Sequence, residues 1–204
     1  MTRTFLLSPA YAGGRRAQML LSERAQFDLA QRLRVGDGVS LGEVFAFLSG
    51  LYFRGKLAYA NAFARPDLSR VLVITPTRGL VPAVTAVTPS DLREFAEVDI
   101  EAGDPRYRKP LERDLHRLVR RLTPQCEVVL LGSVATGKYV SILLEILRER
   151  ICFPAEFVGR GDMSRGGLLL RCAVDRTELD YIPVRGAVRK GKRPPKLEPR
   201  RYGR

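Results

Sequence analysis

The stretch LLGSVATGKYVSILLEIL, residues 130–147, has the residue types and spacing of a phosphate-binding loop. Gly132 follows an apolar run, and Gly137 and Lys138 open a pattern typical of a helix. In a nucleotide-binding loop, backbone N–H groups and the lysine bind phosphates, and a Ser or Thr after the lysine binds Mg²⁺. Tyr139 occupies that last position. The sequence therefore favours an ordinary strand-turn-helix over an NTP site, and a metal-free phosphate contact at Lys138 stays open.

Two further loops combine glycine with arginine. Residues 8–16, SPAYAGGRR, follow a short apolar run and bring Arg15 and Arg16 to the start of a helical pattern. Residues 160–167, RGDMSRGG, contain Arg165. The planar guanidinium group suits bidentate phosphate binding, so both loops are candidate phosphate contacts. Each also fits a surface turn whose arginines are solvated.

The segment LYFRGKLAYA, residues 51–60, interleaves aromatic and basic residues. Aromatic rings stack on bases and cations neutralise phosphates, so Arg54 and Lys56 are candidates for nucleic-acid contact. At helical spacing, however, aromatic rings are more typical of a hydrophobic core. We therefore expect burial of the three rings, Tyr52, Phe53 and Tyr59.

Histidine and cysteine give little support for other chemistry. His116 is the one histidine, and it lies on the basic side of an amphipathic helical pattern. A lone surface histidine supports neither a Ser-His-Asp triad nor a His-based metal site. The widely spaced cysteines form no CxxC pair and indicate buried reduced thiols: Cys126, Cys152 and Cys172. The sequence therefore predicts no cofactor and no metal, and it identifies no catalytic residue.

Charge and hydropathy limit the partners of the chain. Its 204 residues carry a net charge of +13 at pH 7, with a pI near 10.3. This excess favours polyanions, DNA or RNA above all and an acidic protein as an alternative, although an arginine-rich proteome would give the same composition. No apolar run approaches the roughly 18 to 20 residues of a membrane span, and the N-terminus lacks the long apolar region of a signal peptide. We therefore expect a cytoplasmic protein that does not bind membranes.

Apolar periodicity predicts the elements that position these residues. Strand-like runs occur at residues 4–7, 71–75, 127–132, 168–174 and 179–184. Helical patterns occur at 15–34, at 41–64 with a break at Ser49-Gly50, at 110–122 and at 139–150. Between them, the proline- and glycine-rich stretch 76–91 predicts a long functional loop.

This alternation predicts an α/β fold, with a single compact domain over residues 1–184 and a mixed sheet flanked by helices. Residues 185–204 depart from the pattern. They contain nine Lys or Arg and one acid, Glu198, for a local charge of +8 against +5 in the remainder. We interpret this segment as a basic, flexible C-terminal tail.

Four stretches resemble the YaaA family, bacterial proteins linked to peroxide stress. The start FLLSPA is similar to the family's LSPA opening, and VLVITPTRGLVPAVTAVTPSDL to its strand followed by a Gly-Leu loop with prolines. EVVLLGSVATGKYVSIL resembles a later strand-turn-helix with a tyrosine at the place of Tyr139, and RGDMSRGGLLLR resembles a late ARG element. The resemblance implies a compact α/β fold and DNA binding under oxidative stress, and it implies no established reaction.

We therefore predict a nucleic-acid-binding protein, linked to oxidative stress or DNA protection, that contacts phosphates. The predicted contacts are Arg15, Arg16, Arg54, Lys56, Arg78, Lys138, Arg165, Arg189, Lys190, Lys192 and Arg193. The alternative is an enzyme acting on a nucleotide or nucleobase, with a pocket formed by the loops 8–16, 76–82 and 132–138, which all follow predicted strands. The candidate pocket residues are Ser8, Gly79, Ser133 and Tyr139. Whether the protein catalyses a reaction stays open at this point.

Overall fold

Four parallel strands form the centre of the main sheet. The computed structural model describes residues 2–36, 38–64, 70–135 and 137–198. Its strands are β1 (Thr2–Leu7), β2 (Val39–Ser40), β3 (Arg70–Thr75), β4 (Gly79–Pro82), β5 (Ala86–Val87), β6 (Cys126–Leu131), β7 (Ile151–Pro154) and β8 (Tyr181–Pro183). Its α-helices are α1 (Arg15–Leu21), α2 (Asp28–Val35), α3 (Leu41–Ser49), α4 (Leu51–Phe63), α5 (Pro89–Ala96), α6 (Pro105–Val119), α7 (Gly137–Leu147) and α8 (Asp162–Asp175).

The six-stranded main sheet is mixed. Its order is β4-β3-β1-β6-β7-β8, in which the central four strands are parallel and the two edge strands, β4 and β8, are antiparallel to their neighbours. β2 and β5 form a separate two-stranded sheet. α4 packs against β1, β3 and α8, and α6 packs against α7, β3 and β4. The predicted α/β fold, a single compact domain with a mixed sheet flanked by helices, is confirmed.

The central strands end in continuous apolar runs that are buried. Phe5, Leu6 and Leu7 of β1 are fully buried, and so are Val128–Leu131 of β6. Such continuous burial is typical of parallel strands in α/β proteins. The apolar runs predicted as the first three strands correspond to β1, β3 and β6.

α6 begins five residues earlier than the predicted start at Pro110. The Asp104 carboxylate accepts a hydrogen bond from the backbone N–H of Arg106 at 2.8 Å, and Pro105 occupies the first helical position. An aspartate cap followed by proline is a strong helix start. Pro110 therefore lies inside the helix. The helix predicted at 15–34 is likewise divided, into α1 and α2.

α8 is the largest departure from the predicted elements. The run LLLRCAV, residues 168–174, is predicted as a strand, but it belongs to this helix. Leu169 and Cys172, three residues apart, lie on its buried face. Gly166 lets α8 cross α4 with the backbones in contact, because a Cβ there would lie 2.6 Å from the carbonyl oxygen of Leu51. The glycine expected to form a turn therefore serves helix packing.

The described part of the C-terminal segment, residues 185–198, contains no helix or strand and runs along the domain surface. The carbonyl group of Lys192 lies against Gly159, and Arg171 donates a hydrogen bond to the carbonyl oxygen of Glu198. Residues 199–204 of the predicted tail lie outside the described residues. The domain boundary at residue 184 and the flexibility of the tail stay predictions. Among the described helices, none combines the length and apolarity that crossing a bilayer requires.

Candidate functional site

The carboxyl ends of β1 and β6 border a cavity of about 700 Å³. These strands are neighbours, but the chain continues from β1 to β3 on one side and later reaches β6 on the other. In open α/β sheets, ligands bind in the crevice at such a point of reversal. Ser8 directly follows β1 and donates its backbone N–H to the carbonyl oxygen of Leu131 at 3.1 Å. The sheet topology therefore holds Ser8 at the site where a ligand is expected.

Polar side chains from six parts of the fold line this cavity. They come from the end of β1, the end of α3, α4, the segment between α5 and α6, the β6–α7 turn and helix, and the start of α8. The polar lining includes Ser8, Tyr52, Lys56, Ser133, Tyr139 and Asp162. Three of the four predicted pocket residues, Ser8, Ser133 and Tyr139, thus meet at one cavity. In the described ranges, no three His, Cys, Asp or Glu side chains are grouped as metal ligands would be.

The Lys56 amine is the most unusual group in the cavity. The residue is only 1% exposed, and its Nζ lies 2.6 Å from the carbonyl oxygen and 2.9 Å from the Oγ of Ser8. Nζ also lies 4.6 Å from the ring centroids of both Tyr52 and Phe53. Burial lowers the pKa of Lys56 to about 7, and the nearby Asp162 carboxylate partly opposes this effect. Near neutral pH, this lysine therefore exchanges between its charged and neutral forms.

The β6–α7 turn packs closely against Ser8. A Cβ at Gly132 would lie 2.8 Å from the Ser8 Cβ and 2.9 Å from the Tyr139 hydroxyl, so only glycine fits between them. The Tyr139 hydroxyl donates a hydrogen bond to the Ser133 carbonyl oxygen at 2.8 Å. Burial raises the pKa of Tyr139 to about 12, although contacts with Ser8 and Ser133 lower it in part. Tyr139 thus closes the wall of the cavity beside Ser8, where a nucleotide loop would have a magnesium ligand.

One buried hydroxyl in the cavity lacks a hydrogen-bond partner among the described residues. Tyr52 is 6% exposed, and its hydroxyl lies beside the Arg165 guanidinium but makes no hydrogen bond of standard geometry. Burial raises its pKa, while the neighbouring Arg165 guanidinium lowers it. A buried polar group without a partner is uncommon and calls for an explanation. A ligand that reaches the hydroxyl would supply the missing bond.

The mouth of the cavity carries an exposed ring and an exposed cation. Tyr11 is 70% exposed and covers the glycines that precede α1. Lys138 lies in the first turn of α7 and is exposed, and the Asp99 carboxylate faces the same opening. The N-terminal end of a helix favours an anion through its free N–H groups. The mouth therefore offers a stacking surface and a cationic end side by side.

The predicted loop 76–82 does not line this cavity. Arg78 forms ion pairs with Asp91 and Glu94, and its guanidinium lies over the Phe95 ring. Gly79 has a φ of +67°, and its Cα packs against the Pro110 carbonyl of α6. The antiparallel turn into β4 carries both residues toward α6, away from the ends of β1 and β6. Arg78 borders a separate groove instead.

The remaining predicted phosphate contacts have different surroundings. Arg165 is buried, donates two hydrogen bonds to the Phe157 carbonyl oxygen and pairs with Asp162 at 3.4 Å. Arg16 donates to the Phe47 carbonyl oxygen at 3.0 Å. Exposed cations are Arg15, Arg54, Lys190, Lys192 and Arg193, and Arg189 is half-buried. Of the predicted phosphate contacts, Lys56 and Lys138 line the cavity and the other cations do not.

Sequence reasoning missed the position of Lys56 and the participation of Asp162. The rings of Tyr52 and Phe53 are buried, as the helical spacing indicated, and Lys56 shares their helix face because it follows Tyr52 by four residues. That spacing was the available signal for a buried lysine. Asp162 gave no such signal, because it reaches the cavity only through the crossing of α8 and α4. Comparisons with protein-family models, with curated proteins and with solved structures found no match to this chain.

Proposed function

We propose that the protein is an enzyme acting on a nucleotide or nucleobase bound in the cavity at the ends of β1 and β6. The observation that carries this proposal is the contact between Ser8 and the buried amine of Lys56 inside that cavity. Strongly perturbed titratable groups in a cleft are characteristic of functional sites. A buried amine that serves only the fold would cost stability without an evident gain.

The lining of the cavity suits a base that carries a phosphate. An exposed ring such as Tyr11 can stack on any nucleobase, because every base has an aromatic face. Lys138 and the first turn of α7 offer charge and N–H groups to a phosphate at the mouth. The Tyr52 hydroxyl, in the wall of the cavity, is buried without a hydrogen bond of standard geometry, and we expect a polar atom of the base to bond with it. A volume of about 700 Å³ is within the usual range for small-molecule sites.

Thermal unfolding of the purified protein with a panel of bases, nucleosides and nucleotides tests this proposal. A ligand at 100 times its Kd stabilises the folded state by about 2.7 kcal/mol, which raises Tm by roughly 5 to 10 °C for a domain of this size. We expect at least one panel member to give such a shift and the double variant Tyr11→Ala, Lys138→Ala to reduce it. The variant Lys109→Ala, at an exposed lysine of α6, is the control. A panel without any shift, or a shift unaffected by the double variant, would contradict the proposal.

Binding to a nucleic-acid polymer is the second candidate function, and a basic groove favours it. The groove lies between the β3–β4 hairpin and α6 and has a volume of about 470 Å³. Its charged lining consists of Arg70, Arg78, Arg113, Arg117, Arg121 and Asp114. Asp114 pairs with Arg113 at 2.8 Å and with Arg117 at 3.4 Å, so the arginines remain in excess. Together with the net charge of +13, this groove suits phosphate contacts.

The salt dependence of DNA and RNA binding tests this second function. Removing one cation that binds a phosphate reduces the slope of log K against log salt by about 0.9 on duplex DNA. We expect a slope smaller by about 3 for the variant Arg70→Gln, Arg117→Gln, Arg121→Gln, and a comparable reduction when Arg189, Lys190, Lys192 and Arg193 become Gln. The control Arg24→Gln, Arg93→Gln, Lys109→Gln removes the same charge as the groove variant. If the slope of log K against log salt were the same in all variants, neither the groove nor the basic residues at 189–193 would have a specific role in binding.

Further expectations belong to this proposal. The resemblance to the YaaA family adds a role in oxidative stress or DNA protection, and we expect the protein to act in the cytoplasm. An acidic protein is the alternative partner of the basic surface.

A further inference from the structure

Ser8 and Lys56 form a hydrogen-bonded pair inside the cavity. The Nζ–Oγ distance is 2.9 Å, within the range that permits direct proton transfer, and the Nζ–O distance to the Ser8 carbonyl is 2.6 Å. A neutral amine has two N–H groups and one lone pair. In the structure the amine donates to both Ser8 oxygens. Once it loses a proton, one N–H still donates to the carbonyl, and the lone pair can accept the proton of the Ser8 hydroxyl. The geometry thus suits a lysine that accepts a proton from serine.

We infer that Ser8 is the nucleophile and Lys56 the general base of an acyl-transfer reaction at the ester or amide carbonyl of a nucleotide- or nucleobase-containing substrate. This inference rests on the proposed function, since it uses the same cavity. Serine activated by lysine is a known variant of nucleophilic catalysis, and it requires neither histidine nor a metal. The fold accordingly does not need the exposed His116 for this chemistry.

The surroundings of Lys56 favour the neutral amine that the reaction requires. Charged and titratable groups face it from three helices: Tyr52 of its own helix, Tyr139 of α7 and Asp162 of α8. The Asp162 carboxylate forms an ion pair with the Arg165 guanidinium rather than with the Lys56 amine. Both tyrosines are neutral near pH 7, because burial raises their pKa values. No described carboxylate forms an ion pair with Lys56, and burial outweighs the opposing effect of Asp162 and holds its pKa near 7.

The reaction proceeds in two balanced steps. In the first, Ser8 Oγ bonds to the carbonyl carbon, its proton moves to Lys56 Nζ, and that proton then passes to the departing alkoxide or amine as the carbon–leaving-group bond breaks. In the second, water attacks the acyl-serine and gives a proton to Lys56, which returns it to Ser8 Oγ as the acid product leaves. The first step leaves Ser8 acylated and the second frees it, so the two steps together restore the protein, and water is the only co-reactant.

A fluorophosphonate probe tests the pair on the full-length protein. Ser8 Oγ attacks phosphorus, fluoride leaves, and the adduct is located by intact-mass measurement and peptide mapping. We expect a single adduct at Ser8, with a labelling rate that rises with pH through about 7 and then levels off. Lys56→Met is expected to lower the rate by at least about 100-fold, the usual contribution of a general base. Ser8→Ala removes the adduct, and Ser141→Ala, on the exposed side of α7, leaves it unchanged.

Several outcomes separate this inference from the proposed function. A folded wild-type protein without an adduct at Ser8 would overturn the inference, and so would labelling that is independent of Lys56. If Lys56→Met does not fold, as judged by circular dichroism, the wild type provides the test instead. A labelling rate of Ser8 that does not change with pH would then overturn the inference. Labelling of Ser8 without a nucleotide or base in the thermal-shift panel supports the pair and rejects the nucleotide substrate. A ligand-induced shift without labelling rejects the pair alone.

Discussion

Gly166→Ala is expected to destabilise the protein by about 3 kcal/mol, the upper end of the usual cost of overpacking. The added Cβ would lie 2.6 Å from the carbonyl oxygen of Leu51 and 2.8 Å from the Cα of Tyr52. These atoms are backbone, so a side-chain rotation cannot relieve the contact. On the facing helix, a Cβ at Gly55 would lie 2.5 Å from the Gly166 carbonyl oxygen. The two glycines together set the distance between α4 and α8.

Urea unfolding of Gly166→Ala and Gly167→Ala provides the measurement and its control. Gly167 is the next residue of the same helix, but a Cβ there would lie 3.6 Å from a side-chain carbon of Leu197, an ordinary contact. Alanine at this position is expected to stabilise the helix by roughly 0.5 to 1 kcal/mol. Equal unfolding free energies for the two variants would show that the helices do not cross at Gly166. Since α4 carries Tyr52 and Lys56, a shifted crossing is also expected to weaken labelling of Ser8.

The sheet was predictable because its sequence signal is local. β1, β3 and β6 are runs of apolar residues between loops, and burial on both faces requires such runs. α8 was not predictable in this way, because a short apolar run fits a buried helix as well as a strand. The glycines before LLLRCAV favoured a turn, although Gly166 is required by contact with another helix. Contact between helices distant in sequence leaves no periodic signal.

The candidate site also contains some residues that local sequence signals predicted and others that only the fold brings together. Ser8, Ser133 and Tyr139 were predicted because they follow strands, and adjacent parallel strands end at the same edge. The loop 76–82 follows a strand as well, but an antiparallel turn directs Arg78 and Gly79 toward α6. The fold alone brings Lys56 to Ser8, because α4 must lie over β1. The hydrogen bond between Ser8 and Lys56 was therefore the feature of the site that was hardest to predict from the sequence.

Lys56→Met is expected to change how stability depends on pH. In the unfolded chain the lysine has its ordinary pKa near 10.5, while in the folded protein the pKa is about 7. Between these values the unfolded state binds more protons, so the free energy of unfolding of the wild type rises with pH across this window. At 1.36 kcal/mol per pKa unit, the rise attributable to Lys56 is at most about 5 kcal/mol. The rings of Tyr52 and Phe53 favour the charged amine and make the rise smaller.

Urea unfolding of the wild type and of Lys56→Met from pH 6 to pH 10 measures this effect as a difference, in which the other titrating groups cancel. At pH 6 the methionine variant is expected to be the more stable protein, because it avoids a buried charge. At pH 10 its advantage disappears, since the neutral wild-type amine keeps its hydrogen bonds to Ser8. Lys109→Met, at an exposed lysine, controls for the removal of one positive charge. If both variants gave the same difference curve, the folded protein would keep Lys56 charged throughout this range, and the amine could not serve as a base for Ser8.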